Sequence, residues 1–332
     1  MILLPVVEPS QVGAARRRAV QEGRQIGLSD AECDRLAIVA TEAATNLLRH
    51  AREGEIILVP SQAHEPLGLH VIAVDSGPGL VSIEAALADG YSTAGPDDGG
   101  IGGGLGAIRR QADAFDIYSD SAGTTLVATV RSGNAVRSTV IEDAGFTVAK
   151  PGFDVGGDAW ALRHEGDHTM VMLMDVLGHG AAAARDAELG VAAFCQARAS
   201  TLEETERRVS AAMVGTRGAA ALIVELPHEP GHLRAAGLGN VKGEIHAGAD
   251  RRGIPSAPGI VGSSSRRPTV TEHDWPAGAL LVLSTDGLRG SERTPDPTPL
   301  FVRNPMTIAA TLYRRRRRGT DDCGVVVLRG RE

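Results

Sequence analysis

Apolar and polar residues follow a helical spacing early in the chain. Apolar side chains recur every three or four positions from Leu36 to Ala51, which predicts a long helix with one buried face. Ser29 and Glu32 have the spacing of a capping box, so we expect this helix to begin at Ser29. Ser10 is the predicted cap of an earlier helix. Short β-rich runs follow at residues 56–59, 69–74, 116–118 and 124–130, and the last two are predicted to form a hairpin.

The pattern changes after residues 132–134, which are predicted to be a linker. Residues 170–174 are apolar without alternation, as in a strand that is buried on both faces. Further strands are predicted at 219–226, 279–283 and 325–328, and helices at 181–198, 202–213 and 304–318. The five arginines from Arg314 to Arg318 allow two interpretations, an anion-docking patch or the solvated end of the last helix.

The length of the chain indicates two domains, and the mixture of predicted helices and strands indicates an α+β protein. The 332 residues exceed one typical domain, and we expect domains at residues 1–132 and 138–330. Hydrophobic residues make up 42% and charged residues 23%, as in soluble globular proteins. Because only 3% are aromatic, the core must be built from aliphatic side chains.

Charge and cysteine content exclude several classes of protein. The net charge of −7 argues against binding to nucleic acid or to an anionic membrane. No apolar run approaches the roughly 18 residues of a membrane span, and the first residues lack the pattern of a secretion signal. Three widely separated cysteines fit a reducing compartment better than a disulfide framework. We therefore expect a cytoplasmic protein without nucleic-acid or membrane partners.

Glu42 and Asn46 are the first candidate site residues. They lie four positions apart and so point to the same side of the predicted helix, at the edge of its apolar face. Polar pairs at this spacing are common, and an exposed pair without a role is the alternative.

Two glycine-rich segments add to this pair. Asp75 ends an apolar run and enters a turn that contains Gly77 and Gly79, where a buried carboxylate can accept a hydrogen bond from an exocyclic amine. An ordinary turn is again the alternative. Residues 99–106 open another predicted helix, whose free amides suit phosphates. They follow a polar loop and lack a Gly-Lys-Ser/Thr ending, which argues against a Rossmann site and a P-loop.

In this order and spacing, these motifs resemble the Bergerat-fold (GHKL) ATPase domain, in particular the RsbT-like serine kinases, over about residues 5–131. The resemblance implies ATP and Mg²⁺ as cofactors. It implies that Glu42 acts as the general base or orients the attacking hydroxyl, and that Asn46 holds Mg²⁺. Asp75 would bind adenine, with Thr125 nearby. The other implied nucleotide contacts are Gly77, Gly79, Gly102, Gly103, Gly104, Leu105 and Gly106.

Acidic residues in the second segment lie at the ends of predicted strands. They are Asp158, Asp175, Asp286 and the pair Asp321 and Asp322. Carboxylates at strand ends can meet at one edge of a sheet, and clusters of oxygen ligands suit Mg²⁺ or Mn²⁺. Two such ions provide the chemistry for hydrolysis of a phosphomonoester. Unrelated turn aspartates are the alternative, since Asp is common in turns.

Together these positions resemble the SpoIIE-type branch of the metal-dependent (PPM) serine/threonine phosphatases, including RsbX, over about residues 139–329. The resemblance implies two Mn²⁺ or Mg²⁺ ions held by Asp158, Asp175, Asp286, one of Asp321 and Asp322, and the carbonyl of residue 176. This chain has Val176 where the family usually has Gly, which a carbonyl ligand tolerates if φ is negative. Gly324 replaces a common Thr, so the choice between Asp321 and Asp322 stays open.

The resemblances imply a Bergerat α/β sandwich followed by a PPM-type β-sandwich flanked by helices. They imply opposed kinase and phosphatase activities on a STAS-domain phosphoprotein, in a stress or sigma-factor partner-switching pathway. The alternative function is a phosphatase whose first domain is only an ATP-gated, partner-binding module.

Overall fold

The computed structural model describes residues 1–62, 65–87, 104–133, 141–263, 268–290 and 298–330. The chain divides into two compact units, Met1–Ser138 and Thr139–Glu332. None of the helices within the described ranges is long and apolar enough to cross a membrane. Cys33, Cys195 and Cys323 are free thiols.

The first unit is an antiparallel sheet with helices on one face. Its strands lie in the order β1-β2-β3-β5-β4, and α1 and α2 pack on the sheet through a core that includes Leu36, Leu47, Leu58 and Val71. The elements are β1 (Ile2–Val6), α1 (Pro9–Gln25), α2 (Asp30–His50), β2 (Gly54–Pro60), β3 (Gly68–Val74), α3 (Ile83–Leu87), α4 (Gly104–Gln111), β4 (Ala114–Asp120) and β5 (Gly123–Arg131).

Both helix starts in this unit follow from local hydrogen bonding. The predicted capping box is confirmed, because Glu32 Oε2 accepts from the Ser29 backbone N–H at 2.7 Å and the Ser29 hydroxyl caps the Glu32 N–H. The prediction of Ser10 as a cap is wrong. The helix α1 begins at Pro9, whose fixed φ suits the first helical position, and Glu8 is its N-cap.

The second unit is a sandwich of two five-stranded sheets. Their strand orders are β13-β10-β9-β8-β7 and β12-β11-β14-β15-β6. The strands are β6 (Glu142–Val148), β7 (Asp158–Glu165), β8 (His168–Val176), β9 (Ala219–Pro227), β10 (Gly231–Leu238), β11 (Lys242–Ala247), β12 (Asp250–Ile254), β13 (Thr271–Trp275), β14 (Leu280–Ser284) and β15 (Cys323–Arg329). The helices are α5 (Ala181–Gln196), α6 (Leu202–Ala212), α7 (Thr298–Phe301) and α8 (Pro305–Arg316).

The strand β8 is buried on both faces, as its unbroken apolar sequence predicts. Val171 and Leu173 pack into the core between the two sheets. Met170, Met172 and Met174 pack on the other side, against α5 and α6. The helix α8 packs on β15 and β6 of the second sheet. The predicted α+β class with two domains and a helix-flanked sandwich is therefore confirmed.

The capping box predicts a measurable effect on stability. We expect Ser29→Ala to lower the free energy of unfolding by about 1 kcal/mol, because the Glu32 N–H loses its hydrogen-bond acceptor. Thermal and urea unfolding of the purified protein measure the change. Ser10→Ala is the matched control, with an expected loss below about 0.5 kcal/mol because Ser10 does not cap α1. Equal losses in the two variants would contradict this assignment.

Candidate functional site

The helix α4 begins against Glu42 and Asn46 of α2. A Cβ atom at Gly104 would lie 3.0 Å from Glu42 Oε2 and 3.2 Å from Asn46 Oδ1, so a residue without a side chain allows this approach. Asn46 Nδ2 is buried without a hydrogen-bond partner. The arrangement thus leaves a carboxylate and an incompletely bonded amide beside the first turn of a helix.

Asp75 and Thr125 lie at the end of the neighbouring strand pair. Asp75 follows β3, and its Oδ1 accepts the Gly77 N–H at 2.7 Å in a tight turn. Thr125 lies on β5 opposite Val74; its side chain is fully buried and its Oγ1 has no hydrogen-bond partner. Gly79 has φ +77°, and a Cβ there would lie 2.0 Å from the Asp120 carbonyl oxygen. Only glycine fits that position.

The predicted phosphate-binding residues are described only in part. Gly104, Leu105 and Gly106 form the first turn of α4, and Gly106 is buried. Gly102 and Gly103 lie outside the described residues. The nucleotide contacts expected of this loop therefore stay predictions.

Asp158 and Asp175 lie side by side in the second unit, because they are paired across β7 and β8. Burial, followed by the charge of Asp175, raises the pKa of Asp158 well above its usual range, and its Oδ1 has no hydrogen-bond partner. Burial and the charges of Asp286, Asp321 and Asp322 raise the pKa of Asp175 to about 7. These carboxylates repel one another, so the site favours cations or protons.

Two polar side chains from distant parts of the sequence orient these carboxylates. Thr285 Oγ1 donates to Asp158 Oδ2 at 2.7 Å and accepts the Gly324 N–H at 2.7 Å. Asn240 Nδ2 donates to Asp286 Oδ2 at 2.8 Å. The motif pattern gave Thr285 no role, although Thr285 is adjacent to the candidate ligand Asp286.

Asp321 and Asp322 differ in their surroundings. Asp322 is 4% exposed, and its two oxygens accept the backbone N–H groups of Lys150 at 2.7 Å and Gly157 at 2.6 Å. Asp321 is exposed. The φ angle of Val176 is not in the left-handed region. This is the condition for a carbonyl ligand at a position where the family usually has Gly. A Cβ at Gly157 would lie 2.8 Å from the Val176 carbonyl oxygen, so the loop before β7 passes close to this carbonyl.

The arginine run is packed beside the Asp286 turn. The helix α8 ends at Arg316, two residues before the predicted end. The Arg289 N–H donates to the Arg316 carbonyl at 2.8 Å, and the Arg318 N–H donates to the Gly287 carbonyl at 2.9 Å.

Within the described ranges, no three His, Cys, Asp or Glu side chains form a closely set group that could hold a metal ion. The acidic groups are therefore near one another without forming a ready-made coordination shell.

Comparisons with known proteins assign each half of the chain separately. Residues 6–130 match the profile of the histidine kinase-like ATPase domain, and residues 165–329 match that of stage II sporulation protein E (SpoIIE). The serine/threonine-protein kinase RsbT of Bacillus subtilis (strain 168) is 31% identical over 106 residues, which are 32% of this chain and 77% of RsbT.

Solved structures share the fold of more than half of the chain. One, from work on the bacterial stressosome as a modular system adapted to control secondary messenger signalling, has a TM-score of 0.51 and 24% identity, covering 57% of this chain and 99% of its own. RsbX in complex with magnesium has a TM-score of 0.50 and 19% identity, covering 57% of this chain and 94% of its own. At these identities the similarity shows the fold alone.

The raised pKa of Asp175 predicts how stability depends on pH. The folded state holds this proton up to about pH 7, whereas the unfolded state releases it near pH 3.8, so the folded protein loses stability as pH rises through this range. We expect Asp175→Asn to reduce the loss of folding stability with rising pH. At pH 8 the substitution should stabilise the metal-free protein by about 1–3 kcal/mol. Unfolding in excess EDTA at pH 5 and pH 8 measures the effect.

Asp154→Asn, at an exposed position in the loop before β7, is the control and should leave the pH dependence unchanged. A wild-type protein whose stability is the same at pH 5 and pH 8 would contradict the prediction.

Proposed function

Since this chain belongs to the histidine kinase-like ATPase family of RsbT and continues into a SpoIIE-type phosphatase domain, we propose that it both phosphorylates and dephosphorylates a serine or threonine of one STAS-domain partner in the cytoplasm. The observation that carries the proposal is the position of buried polar atoms without hydrogen-bond partners. In each unit such atoms include side-chain atoms of residues that the motifs indicate, namely Asn46, Thr125 and Asp158. An unpaired buried polar atom is costly unless a ligand satisfies it.

The first unit has side chains for transfer of the ATP γ-phosphate. Glu42 would accept the proton of the attacking hydroxyl, and Asn46 would hold Mg²⁺ through its amide oxygen. Asp75 and Thr125 would bind the adenine. The close approach of Gly104 to Glu42 and Asn46 supports this assignment, because it brings the start of α4 to the residues that would handle the phosphate.

The second unit has side chains for metal-dependent hydrolysis of the phosphoester. Asp158, Asp175 and Asp286, with the Val176 carbonyl, would hold two Mn²⁺ or Mg²⁺ ions, and the unpartnered Asp158 Oδ1 fits a cation. When bound, such ions supply Lewis acidity that activates a water molecule and neutralises phosphate charge. Thr285 and Asn240 would fix the orientation of Asp158 and Asp286 through their hydrogen bonds.

We assign the remaining ligand to Asp321 and a supporting role to Asp322. The charges of both aspartates raise the pKa of Asp175, but both oxygens of Asp322 already accept backbone N–H groups, whereas Asp321 is exposed. Asp322 thereby connects the start of β15 to the loop that precedes Asp158.

The two aspartates are therefore expected to differ when each is changed to asparagine. Asp321→Asn should weaken Mn²⁺ binding by roughly tenfold or more, as measured by calorimetry, with little change in stability of the metal-free protein. Asp322→Asn should lower that stability by about 1–3 kcal/mol, because an amide presents a donor to a backbone N–H. The reverse pattern would assign the ligand to Asp322.

The opposed activities are tested by comparing three proteins. Wild type, Asp175→Asn and the double variant Glu42→Ala with Asn46→Ala are each incubated with ATP, Mn²⁺ and a STAS-domain protein of the same organism. Phos-tag electrophoresis then measures phosphorylation of the partner. We expect little net phosphorylation by wild type, accumulation with Asp175→Asn and none with the double variant, because tethered activities on one residue oppose each other.

Two results would contradict the proposal. Equal phosphorylation by wild type and Asp175→Asn would mean that the two domains serve different substrates. Absence of phosphorylation by Asp175→Asn, with the pre-phosphorylated partner still hydrolysed by wild type, would leave the first domain as an ATP-gated binding module.

A further inference from the structure

We propose that Phe153 and Leu177 select the phosphorylated segment of the partner by contacting apolar residues next to its phosphoserine or phosphothreonine. This inference rests on the phosphatase function proposed above and concerns its specificity. Phe153 lies in the loop before β7, which begins with Asp158, and Leu177 lies in the loop after β8, which contains Asp175. Phe153 is five residues before Asp158, and Leu177 is two residues after Asp175.

The Leu177 backbone and the Phe153 ring are held by contacts, although both side chains are partly exposed. Leu177 is 45% exposed, and its N–H donates to the Gly218 carbonyl at 3.0 Å. Phe153 is 42% exposed, and its ring centroid lies 4.4 Å from that of His179. Large apolar side chains held in water at the mouth of a site are poised for contact with a ligand.

Further apolar side chains continue this surface on both sides. Val155 is 45% exposed on the Phe153 loop, and Ile260 is 43% exposed. A Cβ at Gly218, whose carbonyl binds the Leu177 N–H, would lie 2.4 Å from Ile260 Cγ2, so Ile260 is adjacent to the Leu177 loop. Phe153, Val155, Leu177 and Ile260 therefore lie on neighbouring loops next to candidate ligands, and we call these four partly exposed side chains the apolar rim.

The described charged side chains next to this rim are paired or opposite in sign. Arg217 lies beside Gly178, but its Nη1 is 3.0 Å from Asp186 Oδ2, so its charge is already paired. On the opposite loop, Lys150 and Asp154 contribute one charge of each sign. Among the described residues that flank the candidate ligands on these two loops, the apolar side chains are thus the ones left to contact a substrate, and the occupant that fits them is a segment with apolar neighbours of the phosphoresidue.

The experiment compares substrates that share the phosphoester and differ in its neighbours. Two phosphoserine peptides of equal length are used, one with Leu and Ile and the other with Asp and Lys on either side of the phosphoserine. Free O-phosphoserine, which has no neighbours and no aromatic ring, reports the chemistry alone. Phosphate release with Mn²⁺ gives kcat/KM for wild type, Phe153→Ala, Leu177→Ala and the control Leu189→Ala, whose side chain is 50% exposed on α5.

We expect wild type to prefer the apolar peptide by roughly tenfold, a preference that each rim variant reduces severalfold through KM. Activity on free O-phosphoserine should change less than twofold, and Leu189→Ala should behave as wild type. Where Phe153→Ala also loses activity on O-phosphoserine, Phe153→Leu decides, because it keeps an apolar side chain and should keep the preference. An unchanged preference in both alanine variants, or none in wild type, would overturn the inference. Failure of wild type to hydrolyse any of the three substrates would overturn the phosphatase function itself.

Discussion

Repulsion among buried carboxylates is the constraint on which the second unit depends. Asp158 and Asp175 lie opposite each other on adjacent strands, and burial together with neighbouring carboxylates raises the pKa of both. A buried anion without a cation destabilises the folded state, so a protein keeps such a group only where it gains something else. The sandwich must supply enough stability elsewhere to hold these groups together. Affinity for divalent cations is the gain that this chemistry offers.

The stability comes from strands whose two faces are both buried. On β8, alternate residues pack between the sheets and under the helices, so the strand that ends at Asp175 has little freedom to move. The second sheet contributes the turn that bears Thr285 and the segment that bears Asp322. Close packing of these segments depends on glycine, since a Cβ at Gly287 would lie 1.9 Å from the Asp322 carbonyl oxygen. The turn at Gly287 therefore packs directly against the backbone of Asp322.

Sequence patterns predicted the parts of the fold that burial controls. The helix α2 has a clear helical periodicity and the central strand β8 has an unbroken apolar run, and the structure has both elements. Seven of the described strands were not predicted, namely β1, β6, β7, β10, β11, β12 and β13. All but β10 and β11 are edge strands, and their mixed polar and apolar residues resemble those of loops. Local spacing also cannot reveal hydrogen bonds between distant residues, such as Thr285 to Asp158 across 127 positions. The difference between Asp321 and Asp322 depends on such long-range bonds, and motif matching alone left it open.

Residues near the candidate ligands differ in how far they are buried. The side chains with the strongest chemical constraint, Asp158 and Thr285, are buried and hydrogen-bonded, so substituting either disturbs the packing around it. Phe153, before β7, and Leu177, after β8, are partly exposed, and substitution there costs the fold less. A site built this way can keep its chemistry while its outer side chains change to suit another partner. A regulatory phosphatase needs this separation, because hydrolysis of a phosphoester is the same reaction on every substrate and only the surroundings of the phosphoresidue distinguish them.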